Sequence, residues 1–183
     1  SGAAAAALAA MVGRVTLGKK KYAAVEPQMR ALIEKADQLQ LSLTQAVERD
    51  AAAFNQVMAA FKLPKDTPEQ ALKRQETIEA ATLAAAKVPL EVARMAVQVL
   101  GLVVQGVTLG NLNAISDAGS GGALARAALT GAGLNVRINT AALQNQSSAA
   151  PLLAELAALE AQARQLEDQI RRAIQERGGI SLE

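Results

Sequence analysis

Asp50 falls in the series Leu43, Val47, Asp50, Phe54, Val57 and Phe61, whose steps of four and three put it on the apolar stripe of a helix. A carboxylate in an apolar wall is costly unless something stabilises its charge. Asp50 is therefore either a core aspartate satisfied by backbone or a lysine, or a proton-transfer group whose affinity is set by burial and neighbours. Asp117 has a similar phase, in the series Val103, Val107, Gly110, Ala114 and Asp117. It closes the stretch GNLNAISD, Gly110 to Asp117, which follows the uncharged apolar run from Met95 to Leu109. Gly110 permits close approach of another backbone or a ligand. Asn111, Asn113 and Ser116 lie beside that line. They read either as polar caps at a helix end or as the lining of a small-molecule site.

Two basic features complete the set. Lys19, Lys20, Lys21 and Tyr22 form a turn that is either solvated or an anion contact. Lys87, ahead of Val88-Pro89-Leu90, either complements a helix dipole or adds a cation for an anionic ligand. Gly119-Ser120-Gly121-Gly122 is glycine-rich, but no strand precedes it, so a phosphate loop is not supported.

Composition narrows the chemistry. The 183 residues include no cysteine and no histidine. That removes thiol nucleophiles, thiolate metal sites and every Ser-His triad, and it leaves carboxylates, lysines, amides and hydroxyls. We expect no metal and no permanently bound cofactor. Nineteen basic residues against 17 acidic ones, with 2% aromatics, argue against a nucleic-acid partner. The Met95–Leu109 run is shorter than the ~20 residues of a membrane span, and the Ala-rich start lacks the basic segment of a signal peptide. The expectation is a cytoplasmic protein with no membrane partner.

The elements that must hold these residues are helices. Alanine and leucine supply most of the 51% apolar content, which favours close helix packing over sheets. The first helix is expected from Gly2 to Val15. A second, with Pro27 in its first turn, runs to about Lys62. Thr67 and Gln70 have a capping-box spacing that opens a third, ending near Lys87. Pro89 opens a fourth, which Gly119–Gly122 breaks. A short helix spans Ala123–Thr130, Asn135–Asn139 is irregular, and Pro151 starts the last helix. Glu160 with Arg164, Glu167 with Arg171 and Asp168 with Arg172 are spaced as i,i+4 pairs. The fold class is all-α: a single domain over residues 1–183, an antiparallel bundle of about five to seven helices.

The blocks MVGRVTLGKKKY, DAAAFNQVMAAFKLPKDT, KVPLEVA, GNLNAISD and NVRIN occur in that order between Met11 and Asn139. Together they resemble the formiminotransferase-cyclodeaminase C-terminal family, whose members are cyclodeaminases and methenyltetrahydrofolate cyclohydrolases. The resemblance implies a dimeric all-helical enzyme acting on one-carbon tetrahydrofolates. It implies conversion of 5-formiminotetrahydrofolate to 5,10-methenyltetrahydrofolate with loss of ammonia. The alternatives are a cyclohydrolase that opens the methenyl bridge to 10-formyltetrahydrofolate, and a folate-binding helical protein without turnover. Asp50 and Asp117 would then move protons and stabilise the cationic amidine. Asn111, Asn113 and Ser116 would bind the pterin or one-carbon group. Lys19, Lys20, Lys21 and Tyr22 would meet the glutamate tail of a folate, polyglutamylated or not, and Lys87 would be a further substrate-binding residue. A formiminotransferase is the implied partner. Family members carry a Pro-Gly-Gly-Gly-Ser segment ahead of the first helix, where its glycine-rich backbone would line the folate site; this sequence starts inside that helix, at Ser1-Gly2, so the segment is either missing from this chain or lost by the protein.

Overall fold

A computed structural model describes residues 1–181, and among them it contains five α-helices, two short 3₁₀ turns and no strand. The helices are α1 (Gly2–Thr16), α2 (Glu26–Phe61), α3 (Pro68–Leu109), α4 (Ile115–Ala141) and α5 (Gln146–Gly178). The 3₁₀ turns are Lys20–Val25 and Leu112–Ala114. The all-α expectation holds, with fewer and longer helices than the sequence punctuation suggests.

α3 is the axis, in contact with each of the other four helices. Its 42 residues extend about 63 Å. It is apolar and long enough to cross a membrane, but Leu90, Ala93, Ala96, Val99, Leu100, Val103 and Val107 are spent on the core. α4 and α5 pack along one side of it. On the other side α1 is wedged between α2 and α4, which hardly touch each other directly. Ala5, Ala6, Ala9, Ala10 and Val12 of the wedge are essentially inaccessible, because small side chains let three neighbours approach at once.

Four expected boundaries are absent. Pro89 does not open a helix; it sits inside α3. A proline there frees the carbonyl four residues back, that of Ala85. The Asn139 amide of α4 donates to it at 3.3 Å, so the helix continues. Gly119–Gly122 does not break α4 either. A Cβ at Gly119 would stand 2.9 Å from Ile174 Cδ1, and one at Gly122 would stand 3.3 Å from Ile170 Cδ1. These glycines let α5 pack close. Asn135–Asn139 is regular helix within the same α4. Pro151 lies inside α5, which begins at Gln146 where Asn145 Oδ1 accepts from the Ser147 N–H at 3.1 Å.

The Thr67–Gln70 capping box forms as its spacing indicates, with both reciprocal bonds present. The charge pairs on α5 do not. Glu160 and Glu167 turn to Arg137 and Arg126 of α4, at 2.8 and 3.2 Å, rather than to Arg164 and Arg171, and Asp168 pairs with Arg171. Arg94 of α3 grips Glu155 through two bonds of 2.5 and 2.8 Å. The hydrogen-bonded guanidiniums of Arg94 and Arg137 lower the carboxyl pKa values of Glu155 and Glu160.

Candidate functional site

α1 is shorter than the groove it occupies. Beyond its first residues the space between α2 and α4 is unfilled and forms an open cleft of about 430 Å³. That is within the usual size range of small-molecule sites. Leu43, Ala46 and Val47 of α2 form one wall, and Ala128, Gly131, Ala132 and Asn135 of α4 form the other. Pro89 and Val92 of α3 lie beneath, and Ser1 to Ala3 close the end. Asp50 stands on the α2 wall.

Asp50 is exposed, not buried in the core as its phase suggests. The stripe holds only as far as Leu43: beyond it α2 buries Ala46, Ala53 and Ala60, Val47 and Phe54 stay exposed, and α1 does not extend to Asp50. Among the described residues the Asp50 carboxylate has no hydrogen-bond or ion-pair partner. The neighbouring guanidinium of Arg49 is engaged by Glu91 at 2.6 Å. Opposite Asp50, Asn135 donates to the Gly131 carbonyl at 3.1 Å, and its side-chain oxygen remains for a ligand. Asn135 was missed in the sequence because its segment looked irregular; its one-turn spacing from Asn139 was the available signal. Lys87 is exposed on α3, two residues before Pro89 and one turn before Glu91, in mid-helix and so unable to complement a helix end.

The other predicted residues gather at the opposite end of α1, about 21 Å away along its 15 residues. Asp50 and Asp117 therefore do not meet within one chain. α3 stops at Leu109, and the following segment is tied down bond by bond. Thr16 is fully buried; its hydroxyl donates to the Val12 carbonyl at 2.6 Å and accepts from the Asn111 N–H at 2.8 Å. The Asn111 amide donates to the Val15 carbonyl at 3.0 Å, and its oxygen accepts from the Asn113 N–H at 3.1 Å. The Tyr22 hydroxyl accepts from the Leu112 N–H at 3.0 Å. Arg177 of α5 donates to the carbonyls of Val107 and Gly110, capping the end of α3. No local spacing marks Arg177 in the sequence, since its partners lie about 70 positions away.

Gly110 permits the close approach that its position suggests: a Cβ there would stand 2.5 Å from the Gly106 carbonyl oxygen and 2.9 Å from Val12. Asn113 and Ser116 are exposed, and Asp117 is half-buried in the first turn of α4, where a carboxylate complements the helix dipole. Lys19, Lys20 and Lys21 are exposed beside this knot, with the Lys21 ammonium 5.6 Å from the centre of the Tyr22 ring.

Comparison with known proteins points in one direction. Residues 1–158 match the family model described as formiminotransferase-cyclodeaminase. A methenyltetrahydrofolate cyclohydrolase from Methylorubrum extorquens is 41% identical over 93% of this chain and 82% of its own length. The formimidoyltransferase-cyclodeaminase of Rattus norvegicus is 34% identical over 73% of this chain, which spans only 25% of that longer protein. Among solved structures, the formiminotetrahydrofolate cyclodeaminase of Thermotoga maritima superposes with a TM-score of 0.85 at 28% identity, covering 96% of this chain and 83% of its own.

Proposed function

Since the chain belongs to the formiminotransferase-cyclodeaminase family and is a folate-dependent enzyme, we propose that it adds water to 5,10-methenyltetrahydrofolate in the Asp50 cleft, giving 10-formyltetrahydrofolate. The observation that carries this reading is a carboxylate, unpartnered among the described residues, on the wall of a largely apolar cleft. The methenyl bridge is an amidine cation, and a carboxylate in low-dielectric surroundings attracts it more strongly than one in water. Likeness supports the choice of reaction: the match to a cyclohydrolase is both higher in identity and longer than the match to the bifunctional protein.

Water oxygen bonds the bridging carbon, and the Asp50 carboxylate takes one of its protons. The carbinolamine hydroxyl then becomes the formyl oxygen as the carbon–N5 bond breaks. N5 gains a proton, so one proton is released overall. A general base of this kind contributes roughly 10²–10⁴-fold. Asn135 hydrogen-bonds the one-carbon group or pterin from the facing wall. Lys87, beside the cleft floor, meets a tail carboxylate. Lys19, Lys20 and Lys21 are left for distal glutamates of a long tail. Asn111 ties down the far end of the bundle, and Asn113, Ser116 and Asp117 lie at that same end, away from the reacting carbon.

The second reading is a cyclodeaminase, favoured by the fold likeness to the Thermotoga protein. The same carboxylate would serve N10 attack on the formimino carbon, and a formiminotransferase would supply the substrate. A paired assay separates the two. Loss of methenyl absorbance from 5,10-methenyltetrahydrofolate above the uncatalysed rate, without ammonia release from 5-formiminotetrahydrofolate, is the expected result. Ammonia release in the second arm selects the cyclodeaminase. Silence in both, with tight folate binding, selects a non-catalytic binder.

A further inference from the structure

α4 contains five glycines, and a glycine inside a helix weakens it relative to alanine. Four of the five are explained by close packing: a Cβ at Gly119, Gly121, Gly122 or Gly133 would stand 2.9, 3.4, 3.3 or 2.9 Å from an atom of another residue. Gly131 is different, because a Cβ there would meet nothing within 4 Å. Its φ is not positive either, so neither the packing of this chain nor its backbone requires glycine at 131. Gly131 is exposed and lines the Asp50 cleft. Ala127 and Asn135, one turn to either side, line it too, so a side chain at 131 would point into the cleft. Asn135 lies low along this strip, its amide folded back onto the Gly131 carbonyl at 3.1 Å.

We infer that Gly131 determines which ligands the cleft admits: the flat pyrimidine part of the substrate's pterin lies against the bare α4 backbone at that point. The inference rests on the cleft being the folate site. No residue lining the cleft is aromatic, so a flat ring finds no stacking partner there. It must gain its contact from aliphatic and backbone surface at van der Waals distance, and glycine gives the closest approach to a backbone. A side chain at 131 would hold the ring off that surface and narrow the cleft toward Val47 and Asp50 on the facing wall. Asn135 selects the pterin over the benzoyl ring. Its side-chain oxygen is an acceptor, and the pyrimidine edge of a pterin carries N–H donors, whereas a benzoyl ring carries none.

Calorimetric titration with 5-formyltetrahydrofolate, paired with thermal melts of the free protein, tests this. Gly131→Leu is expected to melt at or above the wild-type temperature and to raise the Kd roughly tenfold or more, because the added side chain fills the place of the ring. Gly131→Ala should melt about 2–4 °C higher with a smaller loss of affinity, and it carries the test should Gly131→Leu fold poorly. Gly101→Ala, at an equally open glycine of α3 that does not line the cleft, should also melt higher but with the Kd unchanged. The two halves of the ligand locate the ring: Gly131→Leu should lose binding of 6-methyltetrahydropterin and retain that of p-aminobenzoylglutamate. Unchanged affinity in Gly131→Leu, or loss of the benzoylglutamate half instead, overturns the inference. So does a lower melting temperature in Gly131→Ala, which would make the glycine a packing requirement. Full turnover in Asp50→Asn would instead remove the cleft as the folate site; unchanged affinity in Gly131→Leu beside an inactive Asp50→Asn overturns the placement of the ring alone.

Discussion

At the Thr16 end of α1, side chains are committed to the fold: one hydroxyl, one amide and one phenol take up the N–H groups of Asn111, Asn113 and Leu112, and Arg177 takes the last carbonyls of α3. At the Ser1 end, Asp50 has no partner among the described residues and the walls around it are largely apolar. Both ends looked alike in the sequence, as polar residues breaking an apolar stripe. The difference lies in whether the groups already bond one another. A satisfied polar cluster holds structure; an unsatisfied one beside a cavity has something left to give a ligand.

Substitutions can break that contrast or sharpen it. Asp50→Asn should lower turnover by about 10²–10⁴-fold. Because the side chain is exposed and unpartnered, its urea midpoint should stay within about 0.5 kcal/mol of wild type. A large loss of stability with preserved turnover would reverse the roles of the two ends.

Thr16→Val is expected to do the opposite. It keeps the shape but strands the buried Asn111 N–H, which costs about 1–3 kcal/mol. Saturating turnover measured below the melting transition should remain near wild type. Asn139→Leu is a smaller perturbation of the cleft floor. It leaves the Ala85 carbonyl beside Pro89 unpaired and should cost about 1–2 kcal/mol in a thermal melt, with KM raised more than kcat lowered.

The smallest effect concerns acid. The pKa of Glu155 is lowered chiefly by its hydrogen bond to Arg94, so the unfolded chain binds the proton more readily. The stabilisation is full above the unfolded carboxyl value, about 4.3, and is lost as pH falls through the folded one. Glu155→Gln should flatten the stability curve in that acid window, read from urea melts at a series of pH values. The pair is well exposed, so the change should be slight.

How much of this was legible in the chain depended on range. The Thr67–Gln70 box and the limits of α1 and α2 were readable because their causes lie within a few residues. Pro89 was misread because its remedy, Asn139, lies 54 positions beyond the carbonyl it rescues. The glycines of α4 read as a break because local propensity cannot see Ile170 and Ile174 pressing against them. The phase of Asp50 put it on a stripe with Val47, Phe54 and Phe61, whereas the face that α2 buries along this stretch carries Ala46, Ala53 and Ala60. What phase cannot give is where the covering helix stops, and that decides whether the carboxylate is core or cleft. Asn111 is tied into the knot by its own amide, but its type alone could not distinguish a knot from a site.

The wedge also has a consequence in time. α1 is made well before its neighbour α4, which spans residues 115–141. At a synthesis rate of ~5–20 residues per second, the newborn Ala-rich helix waits on the order of ten seconds for the wall it must lean on. Until then the face of α1 that α4 will cover stands bare, a surface a folding chaperone could hold, and the cleft exists only from the moment α4 docks.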